Sequence, residues 1–183
     1  GLAERLDHHV GDLRDLDALC ELVASVQPEV VLHLAAQPLV RRSYLEPVLT
    51  WSTNVLGTIH LLEALRPLTH PCAAVLITTD KVYRNNEWLY GYRENDPLGG
   101  HDPYSSSKAA AELAIASWRS SLQTPVTTLS YGTVSEIERF PCVLPRPFDA
   151  RREIHAALSG LPVCCLCSQL ASCRPRSMLG AAT

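Results

Sequence analysis

The sequence lacks any apolar run near the roughly 20 residues that a membrane-spanning helix requires, and no secretory signal is visible at its start. It also lacks an excess of basic residues, since the formal net charge at pH 7 is −3. The charge gives no sign of nucleic-acid binding. We therefore expect a cytoplasmic protein that binds neither membranes nor nucleic acids.

The spacing of the cysteines is not that of a disulfide framework. There are seven of them, and within the first 120 residues only Cys20 and Cys72 occur. An odd, clustered set is not typical of a secreted disulfide scaffold. The Cys164-Cys165-Leu166-Cys167 run lacks the spaced ligand pairs of a zinc site. We expect buried or free thiols in a reducing compartment and no metal.

Two further absences concern the start of the chain. The only methionine is Met178, so we expect that the chain has lost an N-terminal segment. A dinucleotide-binding sheet normally opens with a strand, a Gly-rich turn and a helix that holds the pyrophosphate. No such cluster occurs, and Gly91, Gly99 and Gly100 lie in a long polar segment instead. Without its first strands the sheet should have an unpaired edge and exposed apolar surface, which predicts poor solubility.

The first two thirds of the chain alternate between helix-like and strand-like patterns. Buried strands alternating with helices predict an α/β fold, a partial doubly wound parallel sheet of the Rossmann-like kind. In such sheets ligands bind at the carboxyl ends of the strands, where Ala35-Ala36 and Thr79-Asp80 fall. The predicted elements are a helix over 15–25, strands over 30–36 and 73–79, a helix over 48–65, a polar loop over 85–103, a helix over 104–121 and a strand over 126–130.

The character of the sequence changes after about Gln123. Lysine disappears, whereas Cys, Pro, Arg and Ser become common. The apolar segment Val163–Cys167 stands isolated. We divide the chain into a partial dinucleotide-binding domain over 1–122 and an irregular tail over 123–183. The tail is either a small irregular subdomain or a segment read out of frame, and the conflicting local signals favour the second interpretation.

A tyrosine and a lysine four residues apart carry the first sign of chemistry. Tyr104 and Lys108 lie on one face of the predicted helix. There the ammonium can lower the pKa of the phenol and create a general base for neutral pH. A lone Tyr-x-x-x-Lys is weak evidence, but this one follows the Asp102-Pro103 turn in an α/β alternation. We interpret the two residues as a catalytic pair.

A second group of proton-handling side chains follows the second strand. Thr79, Asp80 and Lys81 supply a hydroxyl, a carboxylate and an amine in consecutive positions. As neighbours on a strand end, Asp80 and Lys81 should point to opposite sides and not neutralise each other. They are either a solvated strand end or the carriers of more than one proton transfer.

Of the remaining candidates, His33 is expected to be structural. Asp15 should cap the first helix, which leaves Asp12 for another partner.

These residues together resemble the extended short-chain dehydrogenase/reductases, and among them the CDP-glucose 4,6-dehydratase family. The likeness covers roughly residues 5–122. Related dehydratases usually carry Asp-Glu where this chain has Asp80-Lys81, and related epimerases lack the Asp. The matching segments are Gly11-Asp12-Leu13-Arg14-Asp15, His33-Leu34-Ala35-Ala36-Gln37, Thr53-Asn54-Val55-Leu56-Gly57-Thr58, Thr78–Tyr83 and Gly99–Lys108.

The resemblance implies an NAD-dependent lyase that acts on a nucleotide sugar, CDP-glucose, and yields a 4-keto-6-deoxy sugar. Tyr104 would remove the C4 hydroxyl proton, and Lys108 would lower the pKa of Tyr104 and hold the nicotinamide ribose. Thr79 would contact the sugar at C4, Asp80 would protonate the departing C6 hydroxyl, and Lys81 would remove the C5 proton. The implied cofactor contacts are Asp12 and Leu13 at the adenine, and Leu34, Ala35, Ala36 and Thr53 along the NAD, with Tyr104 and Lys108.

Other interpretations stay open. The chain as it stands is expected to be inactive, and it could be a non-catalytic remnant without a pyrophosphate site. It could also belong to another extended short-chain enzyme, an epimerase or a different dehydratase. A regulatory domain on the same fold ranks last, because Tyr104 and Lys108 are both kept. Family members commonly form homodimers through the helices predicted over 48–65 and 104–121.

Overall fold

The computed structural model describes residues 7–121, 126–131 and 163–167. A π-helical turn, Ser52–Leu56, joins the third and fourth helices, and a 3₁₀ turn, Asp80–Val82, follows the second strand. The elements in chain order are α1 (Leu16–Val26), β1 (Val30–Leu34), α2 (Val40–Leu45), α3 (Pro47–Trp51), α4 (Gly57–Leu65), β2 (Cys72–Ile77), α5 (Pro103–Ser121), β3 (Val126–Tyr131) and β4 (Val163–Cys167).

The strands form one parallel sheet in the order β3-β2-β1-β4. Val30 of β1 lies opposite Ala73 of β2, and Cys72 of β2 lies opposite Val126 of β3. The predicted α/β class and the parallel pairing are confirmed. Because the strands run the same way, the residues after Leu34 and after Ile77 emerge at the same edge of the sheet.

Strand β4 differs from the expectation. The segment Val163–Cys167 is not isolated, because it pairs in parallel with β1 and places Val163 opposite Val30. Strand β4 therefore covers β1, and among the described strands the sheet ends at β3 and β4. The expected unpaired edge stays a prediction. The remaining residues of the 123–183 segment lie outside the described residues, apart from β3, so the interpretation of that segment as an irregular tail stays a prediction.

Helix α1 forms as its sequence predicts. The Asp15 carboxylate accepts a hydrogen bond from the Ala18 backbone N–H at 3.1 Å and caps the helix. Leu19 and Val23, four residues apart, are buried on one face. At the other end, Gln27 adopts a left-handed conformation with φ of 47°, immediately before Pro28. Local signals were sufficient for this element.

The helix predicted over 48–65 is interrupted. Its path runs from α3 through the π-helical turn into α4, and the separate helix α2 precedes it. The buried side chain of Asn54 lies in the turn and makes two hydrogen bonds to the backbone of Gln37. Its oxygen accepts from the Gln37 N–H at 2.7 Å, and its amide nitrogen donates to the Gln37 oxygen at 3.2 Å. The Thr58 hydroxyl also donates to the Asn54 backbone oxygen at 2.8 Å. A side chain that enters the backbone hydrogen-bond ladder in this way is one recognised cause of an irregular turn.

The apolar core lies between the sheet and helices α1, α4 and α5. Val31 of β1 and Leu76 of β2 face it, and each is 1% exposed. Leu34, at the end of β1, is 45% exposed, so apolar surface does reach solvent at this edge. Within the described ranges, no helix is both long and apolar enough to cross a bilayer. The core members are Leu19, Val23, Val31, Leu61, Leu62, Ala64, Leu65, Leu68, Cys72, Ala74, Leu76 and Ile115.

Candidate functional site

The segment after β2 brings three candidate residues together. Thr79 is buried, whereas Asp80 and Lys81 are exposed on the 3₁₀ turn. The Thr79 hydroxyl donates to Asp80 Oδ1 at 3.1 Å and accepts from the Lys81 backbone N–H at 3.4 Å. Thr79 therefore caps the turn and fixes the direction in which the next two side chains leave the sheet.

The contact between Asp80 and Lys81 corrects the sequence analysis. Lys81 Nζ lies 3.4 Å from Asp80 Oδ1, so the two charges do face each other. The expectation of opposite directions assumed an extended strand end. The chain instead tightens into a 3₁₀ turn, whose residues do not alternate between two sides. Both side chains are more than half exposed, so water weakens the ion pair and either side chain can turn to another partner.

Helix α5 presents the other two candidate residues. Asp102 precedes it and accepts from the Ser105 N–H at 3.0 Å and from the Ser105 hydroxyl at 2.6 Å. Partial burial opposes ionisation of Asp102, but these hydrogen bonds outweigh it and lower the pKa. The helix then begins at Pro103, a residue suited to a first turn. Tyr104 and Lys108 follow one turn apart.

Tyr104 meets the turn after β2. Its phenol shares a hydrogen bond with the Thr79 side chain, and the charges of Asp80 and Lys81 both act on it. The expected lowering of its pKa is not found, because burial raises it, while the bond to Thr79 and the charge of Lys81 oppose that rise in part. Lys108 is not among the groups that shift it. Thr79 and Lys81 are thus the neighbours that favour the ionised form of Tyr104.

Lys108 is buried, with 5% of its surface exposed. Its ammonium donates to the backbone oxygen of Ile77, the last residue of β2, at 2.9 Å. Burial lowers its pKa to about 8, although the carboxylate of Glu112 opposes the shift. A lysine in this range changes its protonation near physiological pH.

The predicted cofactor residues along the edge of the sheet also lie near one another. Leu34, Ala35 and Ala36 continue directly from β1, with burial increasing from the exposed Leu34 to the buried Ala36. Thr53 lies in the π-helical turn, next to Asn54. Because Asn54 binds the backbone of Gln37, Thr53 is held close to the end of this segment.

The two predicted adenine contacts have partners within the chain. The Asp12 carboxylate accepts from the Arg14 side chain and backbone, and the side-chain bonds are the main reason that its pKa falls to about 2. Asp12 was expected to be available for another partner, and within the chain that partner is Arg14. Leu13 packs against the core, and a Cβ on Gly57 would lie 2.6 Å from its Cδ2 atom.

Several polar residues that support the site were missed. Asn54 donates to the Ser107 hydroxyl oxygen at 2.9 Å, which joins the π-helical turn to α5. Glu112 accepts from the Thr78 hydroxyl at 2.5 Å. Asn54 lies within a segment that the family resemblance had marked, and Glu112 lies four residues after Lys108. The spacing from Lys108 could have singled out Glu112, whereas for Asn54 the only signal was the resemblance.

His33 has the structural role expected of it. It is 2% exposed, and its Nε2 atom lies 3.1 Å from the Thr58 hydroxyl. Burial, with help from the charge of Lys108, lowers its pKa to about 3, so the ring is neutral. Among the residues of the described ranges, no three His, Cys, Asp or Glu side chains are grouped to hold a metal ion.

Known proteins show which family the chain belongs to. Residues 1–143 match the family model described as GDP-mannose 4,6 dehydratase. The chain belongs to this dehydratase family. Within the family it is similar to the CDP-glucose 4,6-dehydratase of Salmonella typhimurium, with 49% identity over 131 residues, which cover 72% of this chain and 36% of that protein. It is also similar to the dTDP-glucose 4,6-dehydratase of Mycolicibacterium smegmatis, with 32% identity covering 76% of this chain and 43% of the relative.

Solved structures show the same dehydratase and epimerase fold. One is the UDP-glucose 4-epimerase of Thermus thermophilus in complex with NAD, with 30% identity, a TM-score of 0.59 and coverage of 66% of this chain and 38% of that one. Another is the dTDP-glucose 4,6-dehydratase DesIV of Streptomyces venezuelae, a double mutant with NAD and DAU bound, with 26% identity, a TM-score of 0.57 and coverage of 66% and 36%. The chain thus spans less than half the length of these relatives.

Proposed function

We propose that this chain is part of an NAD-dependent CDP-glucose 4,6-dehydratase. The observation that carries the proposal is the meeting of Thr79, Asp80 and Lys81 with Tyr104 at the carboxyl end of β2. A hydroxyl, a carboxylic acid and two bases are the groups that oxidation at C4 and loss of water across C5 and C6 require. The similarity to the Salmonella typhimurium enzyme supports the choice of CDP-glucose.

The residues present fit NAD on the nicotinamide side. An ammonium has three N–H donors, and Lys108 uses one of them on the Ile77 oxygen, so its chemistry suits the hydroxyls of a ribose. Leu34, Ala35 and Ala36 would line the cofactor, Thr53 would flank it, and Asp12 with Leu13 would meet the adenine. When bound, NAD would take a hydride from C4 of the sugar and return it to C6.

The side chains divide the proton transfers between them. Tyr104, as phenolate, takes the C4 hydroxyl proton while Thr79 holds that oxygen in place. Lys81, in its neutral form, removes the C5 proton, which the new C4 ketone has made acidic. Asp80, in its acid form, gives its proton to the departing C6 hydroxyl, so that water leaves. The proton on Lys81 then returns to C5, which completes a 4-keto-6-deoxy sugar.

A chimaera tests this function. Residues 7–121 of this chain would replace the matching segment of the Salmonella typhimurium enzyme, to which the chain is 49% identical. We expect NAD-dependent conversion of CDP-glucose to a product with 4-keto absorbance in base. Tyr104→Phe in the chimaera should lower kcat by about 10²–10⁴-fold. A folded, NAD-binding chimaera that only epimerises the sugar would contradict the proposal.

Calorimetry on the 183-residue chain with NAD tests the alternative of a non-catalytic remnant. Tight binding would count against a remnant and would support a working cofactor site in this chain. Weak binding by the chain, beside an active chimaera, would show that the residues are competent and that the rest of the cofactor site must come from other segments.

We also propose a homodimer through α2, α3 and α5. These helices pack together, and they expose large apolar side chains: Tyr44 64%, Leu45 83%, Val48 81%, Trp51 40% and Leu113 62%. Covering such a surface favours association. Val48→Asp should turn a dimer into a monomer in light scattering, and an unchanged mass would contradict this interface. The thiol of Cys20, which forms no disulfide, supports a cytoplasmic location.

A further inference from the structure

Helix α5 binds the end of β2 at two successive residues. The Lys108 ammonium donates to the backbone oxygen of Ile77 at 2.9 Å. One helical turn further along, the Glu112 carboxylate accepts from the Thr78 hydroxyl at 2.5 Å. Thr78 is 8% exposed and Lys108 is 5% exposed, whereas Glu112 is only partly buried. Water therefore reaches neither Thr78 nor Lys108 easily.

The position of Thr78 gives this contact its consequence. The next three residues are Thr79, Asp80 and Lys81, and Thr79 bonds to the phenol of Tyr104, which lies two turns before Glu112 on α5. A shift of β2 along α5 would move Thr79 relative to Tyr104. The Thr78–Glu112 bond opposes that shift.

We propose that Glu112 is a positioning residue for the reaction proposed above. It holds the turn after β2 in register with Tyr104 through Thr78. It also follows Lys108 by one turn of the same helix, where its carboxylate is a counter-charge for the buried ammonium. Glu112 touches neither substrate nor cofactor in this scheme. The proposal rests on the proposed function, although its tests require neither NAD nor a sugar.

The charges around Lys108 support the second part of this role. Glu112 favours the ammonium, whereas burial opposes it. From β1, His33 faces it as a neutral ring, and from the first turn of α5 the phenol of Tyr104 is uncharged, because burial raises its pKa. Burial favours the neutral form of Lys108, and the carboxylate of Glu112 is the counter-charge that favours its ammonium form.

The composition of the chain allows a direct measurement. Lys81 and Lys108 are its only lysines, so lysine labelled with ¹³C at Cε gives two NMR signals to follow against pH. Glu112→Gln keeps an oxygen for Thr78 to bind and removes only the charge. We expect the Lys108 midpoint to fall by about one pH unit, with the Lys81 midpoint nearly unchanged. The matched control is Glu63→Gln, the same change at a carboxylate that pairs with the exposed Arg66.

Thr78→Val tests the positioning part, because it removes the hydroxyl and keeps the charge. With ¹³C-labelled tyrosine, and Tyr104→Phe to assign the signal, we expect the Tyr104 midpoint to rise as its bond to Thr79 weakens. Thr78→Ser retains the hydroxyl and should restore the wild-type midpoint. Retention of both lysine signals at their folded positions confirms that each variant folds.

Three outcomes would overturn the proposal. The first is a Glu112→Gln shift at Lys108 no larger than that of Glu63→Gln. The second is an unchanged Tyr104 midpoint in Thr78→Val. The third is unfolding of Glu112→Gln beside a folded Thr78→Val, since the charge would then serve the fold and not the site. An inactive chimaera with both expected shifts would contradict the proposed function alone.

Discussion

The buried Asn54 side chain donates to the Ser107 hydroxyl oxygen at 2.9 Å, across 53 positions of the chain. Ser107 directly precedes Lys108 on α5, and the same Asn54 side chain also binds both backbone groups of Gln37. One amide therefore connects the end of β1, the π-helical turn and the helix that carries Tyr104 and Lys108.

Asn54→Ala should destabilise the fold strongly. The change leaves the backbone N–H and oxygen of Gln37 buried without this partner, and each such loss costs about 1–3 kcal/mol. We expect the free energy of unfolding in urea to fall by about 3 kcal/mol. Asn86→Ala, at an exposed position, should change it by no more than about 0.5 kcal/mol. Equal effects of the two changes would show that the Asn54 contacts contribute little.

Gly100→Ala should disturb the start of α5. A Cβ at Gly100 would lie 2.3 Å from the backbone carbon of Ser105 and 2.3 Å from the backbone nitrogen of Ser106. Backbone atoms cannot yield as a flexible side chain can, so we expect a loss of about 2 kcal/mol in thermal or urea unfolding. The control is Gly91→Ala, where a Cβ would meet nothing within 4 Å. Wild-type stability in Gly100→Ala would mean that the helix start adjusts freely.

His33 should make the fold sensitive to acid. Its pKa is about 3 in the folded chain, mainly because of burial, against 6.5 for an ordinary histidine. The unfolded chain thus binds more protons between these values, and stability is lost as the pH falls from about 6.5 to 3, by up to about 4 kcal/mol from this group. Urea unfolding at several pH values measures this loss. His33→Gln should show a smaller pH dependence, and exposed His8→Gln should match wild type.

Lys108→Met should stabilise the fold near neutral pH. The pKa of Lys108 is lowered by burial from 10.5 to about 8, so the folded chain carries a penalty for the charge that disappears as the pH rises from 8 to 10.5. Methionine removes a penalty of about 3 kcal/mol and forfeits the bond to Ile77, worth about 1 kcal/mol. The gain in urea unfolding should shrink with rising pH. Lys81→Met, at an exposed site, should give no such trend, and a gain independent of pH would contradict the argument.

Much of the fold follows from local patterns. The apolar runs of β1 and β2 and the helical spacing of α1 and α5 gave elements within a few residues of those observed. The capping role of Asp15 was also correct, because a cap depends on residues three positions apart. The candidate residues Thr79, Asp80, Lys81 and Tyr104 do meet, since parallel strands end at one edge and α5 starts there. Their catalytic roles stay predictions.

Other features depend on distant partners. The pairing of β4 with β1 joins segments more than 130 positions apart, so no local pattern predicts it. The π-helical turn arises where Asn54 reaches Gln37 and Ser107, and the helical periodicity of residues 48–65 contains no sign of it. The contact between Asp80 and Lys81 requires a 3₁₀ turn that an apparent strand end conceals.

The sequence by itself determined most of the elements and the positions of the candidate residues on them, because both depend on residue type and on neighbours within a helical turn or a strand. Only the tertiary structure decided their charge states. Tyr104 is harder to ionise than an ordinary tyrosine and Lys108 is easier to deprotonate than an ordinary lysine, because burial penalises whichever form is charged. The packing of α5 against the end of β2 buries both side chains. The contacts that Glu112 and Thr79 make between these two elements then modify the two pKa values.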